Sequence, residues 1–219
     1  MRLHLKLTKS SIPIPFNYQH LLTGCFHKWL GSSNLQHGEI SMYSFSWLQN
    51  VKAINKGLLT TENTYLFINF HDAEIAKKVI TGIMDAPDMF HGIKVREVSI
   101  QVAPEFGNKA YFYVASPVLV KRDTEKGKKH YQYFEDETND LLTETLKLKL
   151  EKARLSTANV SVRFDVDYAK SKTKIVSYKE VKNKVNICPV VIEGSPEQIA
   201  FAWNVGIGNS TGIGFGALR

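Results

Sequence analysis

The sequence predicts an α+β fold made of two tandem βαββαβ units, residues 1–108 and 109–219. Three observations predict it. Short runs that alternate apolar and polar residues, the pattern of half-buried strands, recur along the chain. Between them lie runs whose apolar residues keep helical spacing. In the first half the order is strand, helix, strand, strand, helix, strand, which is the ferredoxin-like unit, and the second half repeats it less cleanly.

The first unit is the cleaner of the two. In RLHLKL, Leu3, Leu5 and Leu7 face one side and Arg2, His4 and Lys6 the other, so this is a strand that SSIPIP then stops. NYQHLLTGCFHKWL follows as a helix, with Asn17 as its expected N-cap. ISMYSFSWL and TYLFINF read as the second and third strands. Asp72 is placed to cap DAEIAKKVITGIM, where Ile75, Ala76, Val79, Ile80 and Ile83 share a face. IKVREVSIQVA closes the unit as a strand.

In the second unit AYFYVASPVLV reads as a strand and KRDTEKGKKHYQ as an exposed basic loop. YFEDETNDLLTETLKLKLEKARL is a long helix with Leu141, Leu142, Leu146 and Leu150 on one stripe. NVSVRFDVDY, TKIVSYKEV and VNICPVVIEG supply strands. SPEQIAFAWNVG is a short helix with Ser195 at N-cap and Pro196 at the first helical position. A glycine-rich segment then leads to a last strand at FGAL.

Composition narrows the function classes. The chain has 219 residues, 43% of them apolar, and a formal net charge of +7, which favours a polyanionic partner. No apolar run is long enough to span a bilayer, so no membrane partner is expected. The N-terminus alternates like a strand and does not read as a signal peptide, so a cytoplasmic protein is expected. Cys25 and Cys188 lie far apart without metal-ligand spacing and read as two reduced thiols.

Three features carry the candidate chemistry. Gly206, Gly208, Gly212, Gly214 and Gly216 join the last helix to the last strand, in NVGIGNSTGIGFGALR. A nucleotide-hydrolysing loop would run from strand to helix and end in Gly-Lys-Ser/Thr, so this is either a tight turn or a backbone that closely approaches a ligand. Lys121, Arg122, Lys126, Lys128 and Lys129 form the densest positive run, either a solubilising segment or a phosphate track. On the first helix Tyr18, Leu21, Leu22, Cys25, Trp29 and Leu30 make the core face, and His20, Gly24, His27 and Gly31 lie opposite. The two histidines are seven apart rather than four, and no carboxylate or cysteine joins them, so a metal site is the weaker reading. His20 reads as solvated, and His71, beside Asp72, and His91, in a loop turn, read as structural.

Across its whole length the chain resembles the CRISPR-associated endoribonucleases that cut precursor CRISPR RNA within each repeat, of the repeat-associated mysterious protein superfamily. The resemblance rests on IPFNYQHLLTGCFHKWLGSSN followed by MYSFS, on SPVLVKR, and above all on VGIGNSTGIGFGAL. It implies a metal-free, cofactor-free reaction in which the 2′-oxygen attacks the scissile phosphate, giving a 2′,3′-cyclic phosphate and a 5′-hydroxyl. It places catalytic groups at His27, in GCFHKW, and at His37, in NLQHGE. Some relatives have a lysine where this chain has Glu39, so the cation must come from elsewhere, with Lys52 and Lys28 as candidates. The RNA-binding set expected is Lys28, Lys121, Arg122, Lys128, Lys129 and the five loop glycines. The partners expected are CRISPR repeat RNA, a CRISPR effector complex and a second copy in a homodimer. The alternative reading is a non-catalytic RNA-binding subunit of such a complex. The His27–His37 pair discriminates the two, because a pure binder has no need of two titratable groups there.

Overall fold

The computed structural model describes residues 1–31, 40–125 and 127–219. In the first unit β1 (Arg2–Leu7), β2 (Tyr43–Phe45), the β3–β4 hairpin (Lys52–Ile54 and Gly57–Leu59), β5 (Tyr65–Phe70) and β6 (Val95–Gln101) alternate with α1 (Gln19–Leu30) and α2 (Ala73–Asp85). The four main strands stand in the order β2-β5-β1-β6, all antiparallel neighbours. This is the ferredoxin-like arrangement expected. Leu3, Leu5 and Leu7 are fully buried and pack with Leu22, Phe26 and Trp29 of α1 and with Ala76, Val79 and Ile83 of α2. Asp72 caps α2 by accepting from the Glu74 N–H at 2.8 Å.

The second unit holds β7 (Lys109–Phe112), the β8–β9 hairpin (Lys121–Thr124 and Gly127–His130), α3 (Thr138–Lys152), β10 (Ser161–Phe164), the β11–β12 hairpin (Lys172–Tyr178 and Val181–Ile187), β13 (Val190–Glu193) and α4 (Pro196–Val205). Its sheet order is β10-β13-β7, and the C-terminal segment completes it through an antiparallel bridge between Val114 and Leu218. That puts the last residues in the fourth-strand position of the same topology. Phe112, Val162, Phe164, Val190 and Ile192 pack beneath Leu142, Leu146 and Leu150 of α3 and Ile199 and Ala202 of α4. α4 begins with a capping box in which the Ser195 hydroxyl accepts from the Gln198 N–H and the Gln198 side chain accepts from the Ser195 N–H.

Several elements differ from the sequence reading. The basic segment expected as a loop is the β8–β9 hairpin, because Gly127 supplies a φ of +104° at the turn and the Tyr131 N–H donates to the Val120 carbonyl to close its base. The β3–β4 hairpin was not anticipated from Lys52–Leu59, a stretch too short and too mixed to register as strand. α1 starts at Gln19 with Tyr18 at the N-cap, and Asn17 does not cap it; the Asn17 carbonyl is instead engaged by the His20 ring. The long helix begins only at Thr138, whose hydroxyl donates to the Gln132 carbonyl at 2.6 Å within the preceding turn.

The units are joined by polar groups buried between them. The Arg2 guanidinium lies between the Phe67 ring at 3.9 Å and the Trp203 ring at 4.0 Å. Its Nε donates to Asn69 Oδ1 and its terminal nitrogen to the Leu218 carbonyl, both at 2.7 Å. Burial draws its pKa down to about 10, so it stays protonated at neutral pH.

Candidate nucleic-acid interface

The outward face of α1 carries the first candidate group. Cys25 and Phe26 are buried, whereas His20 and His27 are half-buried and Gly24 is exposed. The helical rotation of about 100° per residue accounts for this division. His27 occupies the last turn of α1, with the Phe26 ring centroid 6.1 Å away. His37 and Glu39 lie outside the described residues. Lys28 is exposed, and its ammonium donates to the Asp88 carbonyl across the α1–α2 surface. Lys52 is exposed on the β3–β4 hairpin, which bridges through Leu58 to Ile14, in the segment leading into α1. From the start of α1 to His27 the helix rises roughly 12 Å. The hairpin of Lys52 is thus tied to the chain five residues before α1 begins, whereas His27 lies in the last turn of that helix.

The basic run and the glycine segment meet. They line one cavity of about 530 Å³ together with Ile40 and Ser41, and with Thr145, Leu148 and Lys149 of α3. The hairpin contributes Lys121, Arg122, Asp123 and Lys128, and the segment after α4 contributes Gly208, Asn209, Ser210 and Thr211. Asn209 fixes the junction: its N–H donates to the Leu119 carbonyl at 2.7 Å, and its Oδ1 accepts from the Lys121 N–H at 2.8 Å.

The structure sorts the cations of the hairpin into two kinds. Arg122 is held by α3, donating to the Leu141 carbonyl at 2.8 Å and to Glu144 and Thr145 at 3.2 Å each. Lys129 points to the other side of the hairpin, 3.8 Å from Glu135 and 3.7 Å from Glu137, with its ammonium 4.1 Å from the Tyr131 ring centre. Lys121 and Lys128 line the cavity, and among the described residues neither forms an ion pair. Burial, and then the like charge of Lys128, pull the Lys121 pKa below the usual lysine value. An anion in the cavity would relieve that repulsion.

Lys149 was missed by the sequence reading. It is 3% exposed, and its ammonium donates to the Val205 carbonyl, the Gly206 carbonyl and Thr211 Oγ1, each at 3.1 Å. Burial brings its pKa down to about 7. A signal was present: Lys149 follows Leu146 by three and Leu142 by seven, so it shares the apolar stripe of α3. Tyr111 and Tyr113, each 44% exposed, were also missed. Their rings and that of Tyr168 form successive edge-on contacts at 5.4 Å and 5.8 Å. The alternation Lys109, Tyr111, Tyr113 against Ala110, Phe112, Val114 was the clue that this strand has an aromatic outer face.

The five loop glycines expected to bind RNA lie against protein. All five are buried. At Gly208, with φ +70°, a Cβ would come within 2.5 Å of the Leu119 carbonyl oxygen. At Gly216, with φ +67°, it would strike the carbonyl of Ile207. Gly206, Gly212 and Gly214 are closed off by Ser44, Ser41 and Phe45 of the first unit. Ties across the units hold the segment down: Trp47 Nε1 donates to the Gly214 carbonyl at 2.7 Å, and Ser44 Oγ to the Asn204 carbonyl at 3.0 Å. Gly206, Gly212 and Gly214 thus let the segment lie against the first unit, and Gly208, Asn209, Ser210 and Thr211 are what it presents to the cavity.

Both thiols are buried and free, and burial raises the pKa of each, that of Cys25 to about 11, which disfavours the thiolate at neutral pH. Among the described residues no three His, Cys, Asp or Glu side chains are grouped to hold a metal ion. Among the same residues no helix is long and apolar enough to cross a membrane.

Residues 101–219 match the family model for the C-terminal part of the CRISPR-associated protein Cas6. Several solved structures have the same fold. The product of a Cas6-related gene from Pyrococcus furiosus superposes with a TM-score of 0.87 at 21% identity, covering 100% of this chain and 97% of that one. A structure described as a RAMP protein binding different RNA substrates gives 0.85 at 20% identity, covering 100% and 98%. A CRISPR-associated Cas6 protein gives 0.82 at 22% identity, again covering 100% and 98%. No curated protein matches the sequence significantly.

Proposed function

Because the chain belongs to the Cas6 family of CRISPR-associated proteins, we propose that it binds CRISPR repeat RNA and cleaves the precursor within each repeat. The observation that carries the binding half is the cavity between the β8–β9 hairpin and the loop after α4. It is lined by Lys121 and Lys128, which have no ion-pair partner among the described residues, and by Asn209 and Ser210. Such a seat suits a phosphodiester: two ammonium groups supply charge, and amide and hydroxyl groups supply directional hydrogen bonds. The Tyr111–Tyr113–Tyr168 face offers stacking surface for unpaired bases.

The cleavage half rests on His27 and His37. One takes the proton from the ribose 2′-OH, and the oxygen attacks the adjacent phosphorus. The bond to the 5′-oxygen breaks, and the other histidine protonates that oxygen as it leaves. The products are a 2′,3′-cyclic phosphate and a 5′-hydroxyl. The nucleophile is the substrate's own hydroxyl, so the step needs no metal-bound water. The half-buried position of His27 on the outward face of α1 is compatible with this role. Lys52 is the third proposed member, stabilising charge on the phosphorane.

A second reading, an RNA-binding subunit of a CRISPR effector complex that does not cut, is favoured by the place of Lys52, whose hairpin is tied to the segment before α1, whereas His27 lies in the last turn of that helix. One experiment separates them. The protein is incubated with repeat RNA and EDTA, beside His27→Ala and His37→Ala. A single cut that each variant slows by about 10²–10⁴-fold supports the nuclease. A substrate with deoxyribose 5′ of the scissile phosphate should stay intact. Tight binding without any cut supports the second reading, and full-rate cleavage by the double variant removes the two-histidine mechanism.

A further inference from the structure

Lys149 has a role that neither packing nor phosphate binding accounts for. It is buried on the face of α3 that carries Leu142, Leu146 and Leu150 with Thr138 and Thr145, where an apolar residue would cost less. Its three N–H groups meet three acceptors, two of them the terminal carbonyls of α4, where the helix dipole favours a cation. The third, Thr211, lies just beyond Asn209 and Ser210 at the cavity rim. One ammonium therefore spans the loop from its departure at Gly206 to its return at Thr211. We propose that Lys149 is the positioning residue of this loop, tying both its ends to α3 so that Asn209 and Ser210 face the basic hairpin in an RNA-competent geometry.

The inference rests on the proposed RNA-binding function for its purpose, but the tether itself is testable without RNA. A protonated amine can satisfy all three acceptors. A neutral amine has only two N–H groups and must release one. Among the described residues, the other charged groups that line the cavity with Lys149 are Lys121, Arg122, Asp123 and Lys128 of the hairpin. Glu144, on its own helix, is engaged by Arg122. Residues 205–211 contribute no titratable side chain. Among the described residues no anion is paired with Lys149, and its pKa of about 7 puts release near neutrality.

Amide hydrogen exchange of residues 206–216 is measured on the free protein from pH 6 to pH 8.5, corrected for intrinsic rates. Opening the loop exposes Lys149, which then takes up a proton that the closed form lacks above pH 7, so wild-type protection should rise with pH, by at most about tenfold per pH unit. Lys149→Met should be weakly protected at all pH values, and Lys149→Arg should be protected at all of them. The wild-type titration needs no variant to fold. Wild-type protection that is independent of pH, or Lys149→Met protection equal to wild type, overturns the inference. A parallel binding titration uses repeat RNA. Lys149→Met should weaken affinity with an unchanged salt slope, because Lys149 neutralises no phosphate. A reduced slope would make Lys149 a direct phosphate ligand and overturn the positioning role. If wild type binds no RNA, the proposed function fails, while the exchange data still decide the tether.

Discussion

Lys128→Gln and Lys129→Gln remove the same charge from adjacent residues of one hairpin, yet only the first should weaken RNA binding. Lys128 faces the cavity without an ion-pair partner among the described residues, whereas Lys129 lies near Glu135, Glu137 and the Tyr131 ring. On single-stranded RNA each neutralised phosphate contributes roughly −0.7 to the slope of log K against log salt. Losing one contact should reduce the slope by ~0.7. Extrapolated from 1 M, that is a loss of ~5-fold in affinity at 0.1 M salt, shrinking as salt rises. Lys121→Gln combined with Lys128→Gln should double the slope change and give ~25-fold. Lys129→Gln should leave the slope alone and alter stability by no more than ~0.5 kcal/mol, as expected of a surface pair. Fluorescence anisotropy of labelled repeat RNA over 50–500 mM salt reads all four proteins. Equal slope changes in Lys128→Gln and Lys129→Gln would refute the division of the hairpin into a cavity side and a tied side.

The other predictions concern stability. Gly208→Val should lower it by ~2 kcal/mol or more, since left-handed backbone alone costs about 1–2 kcal/mol in an L-residue and the Leu119 carbonyl stands in the way of Cβ; a denaturant midpoint unchanged from wild type would contradict this. Arg2→Leu should cost about 3 kcal/mol, because Asn69 and the Leu218 carbonyl lose a charged donor between the units; calorimetry should show an earlier transition, and an unchanged one would mean that the seam does not depend on this cation. The folded protein releases the Lys149 proton near pH 7 and the unfolded chain near 10.5. Between those values the unfolded state binds more protons, so stability rises with pH, by at most ~1.4 kcal/mol per pH unit from this group. Urea unfolding between pH 7 and 9 should show that rise in wild type and its loss in Lys149→Met.

The two βαββαβ units could be read from the sequence because their signals are local. Leu3, Leu5 and Leu7 alternate, the apolar residues of α2 keep helical spacing, and the caps Asp72 and Ser195 stand where the chain needs them. Each of these is fixed by side chains within a few residues of one another. The glycine cluster was visible too, but not its purpose. Glycines look the same in sequence whether their bare backbone meets a ligand or, as Gly206, Gly212 and Gly214 do here, Ser44, Ser41 and Phe45 from more than 150 positions earlier. The basic run likewise showed its charge but not its pairing. Glu135, Glu137 and Glu144 decide which of its cations are tied, and only the fold of the hairpin onto α3 brings them close. Lys149 is the extreme case. Its position on the apolar stripe is local, but its three acceptors come from a segment that begins 56 residues later, so only tertiary structure could turn a misplaced lysine into the tether of a loop.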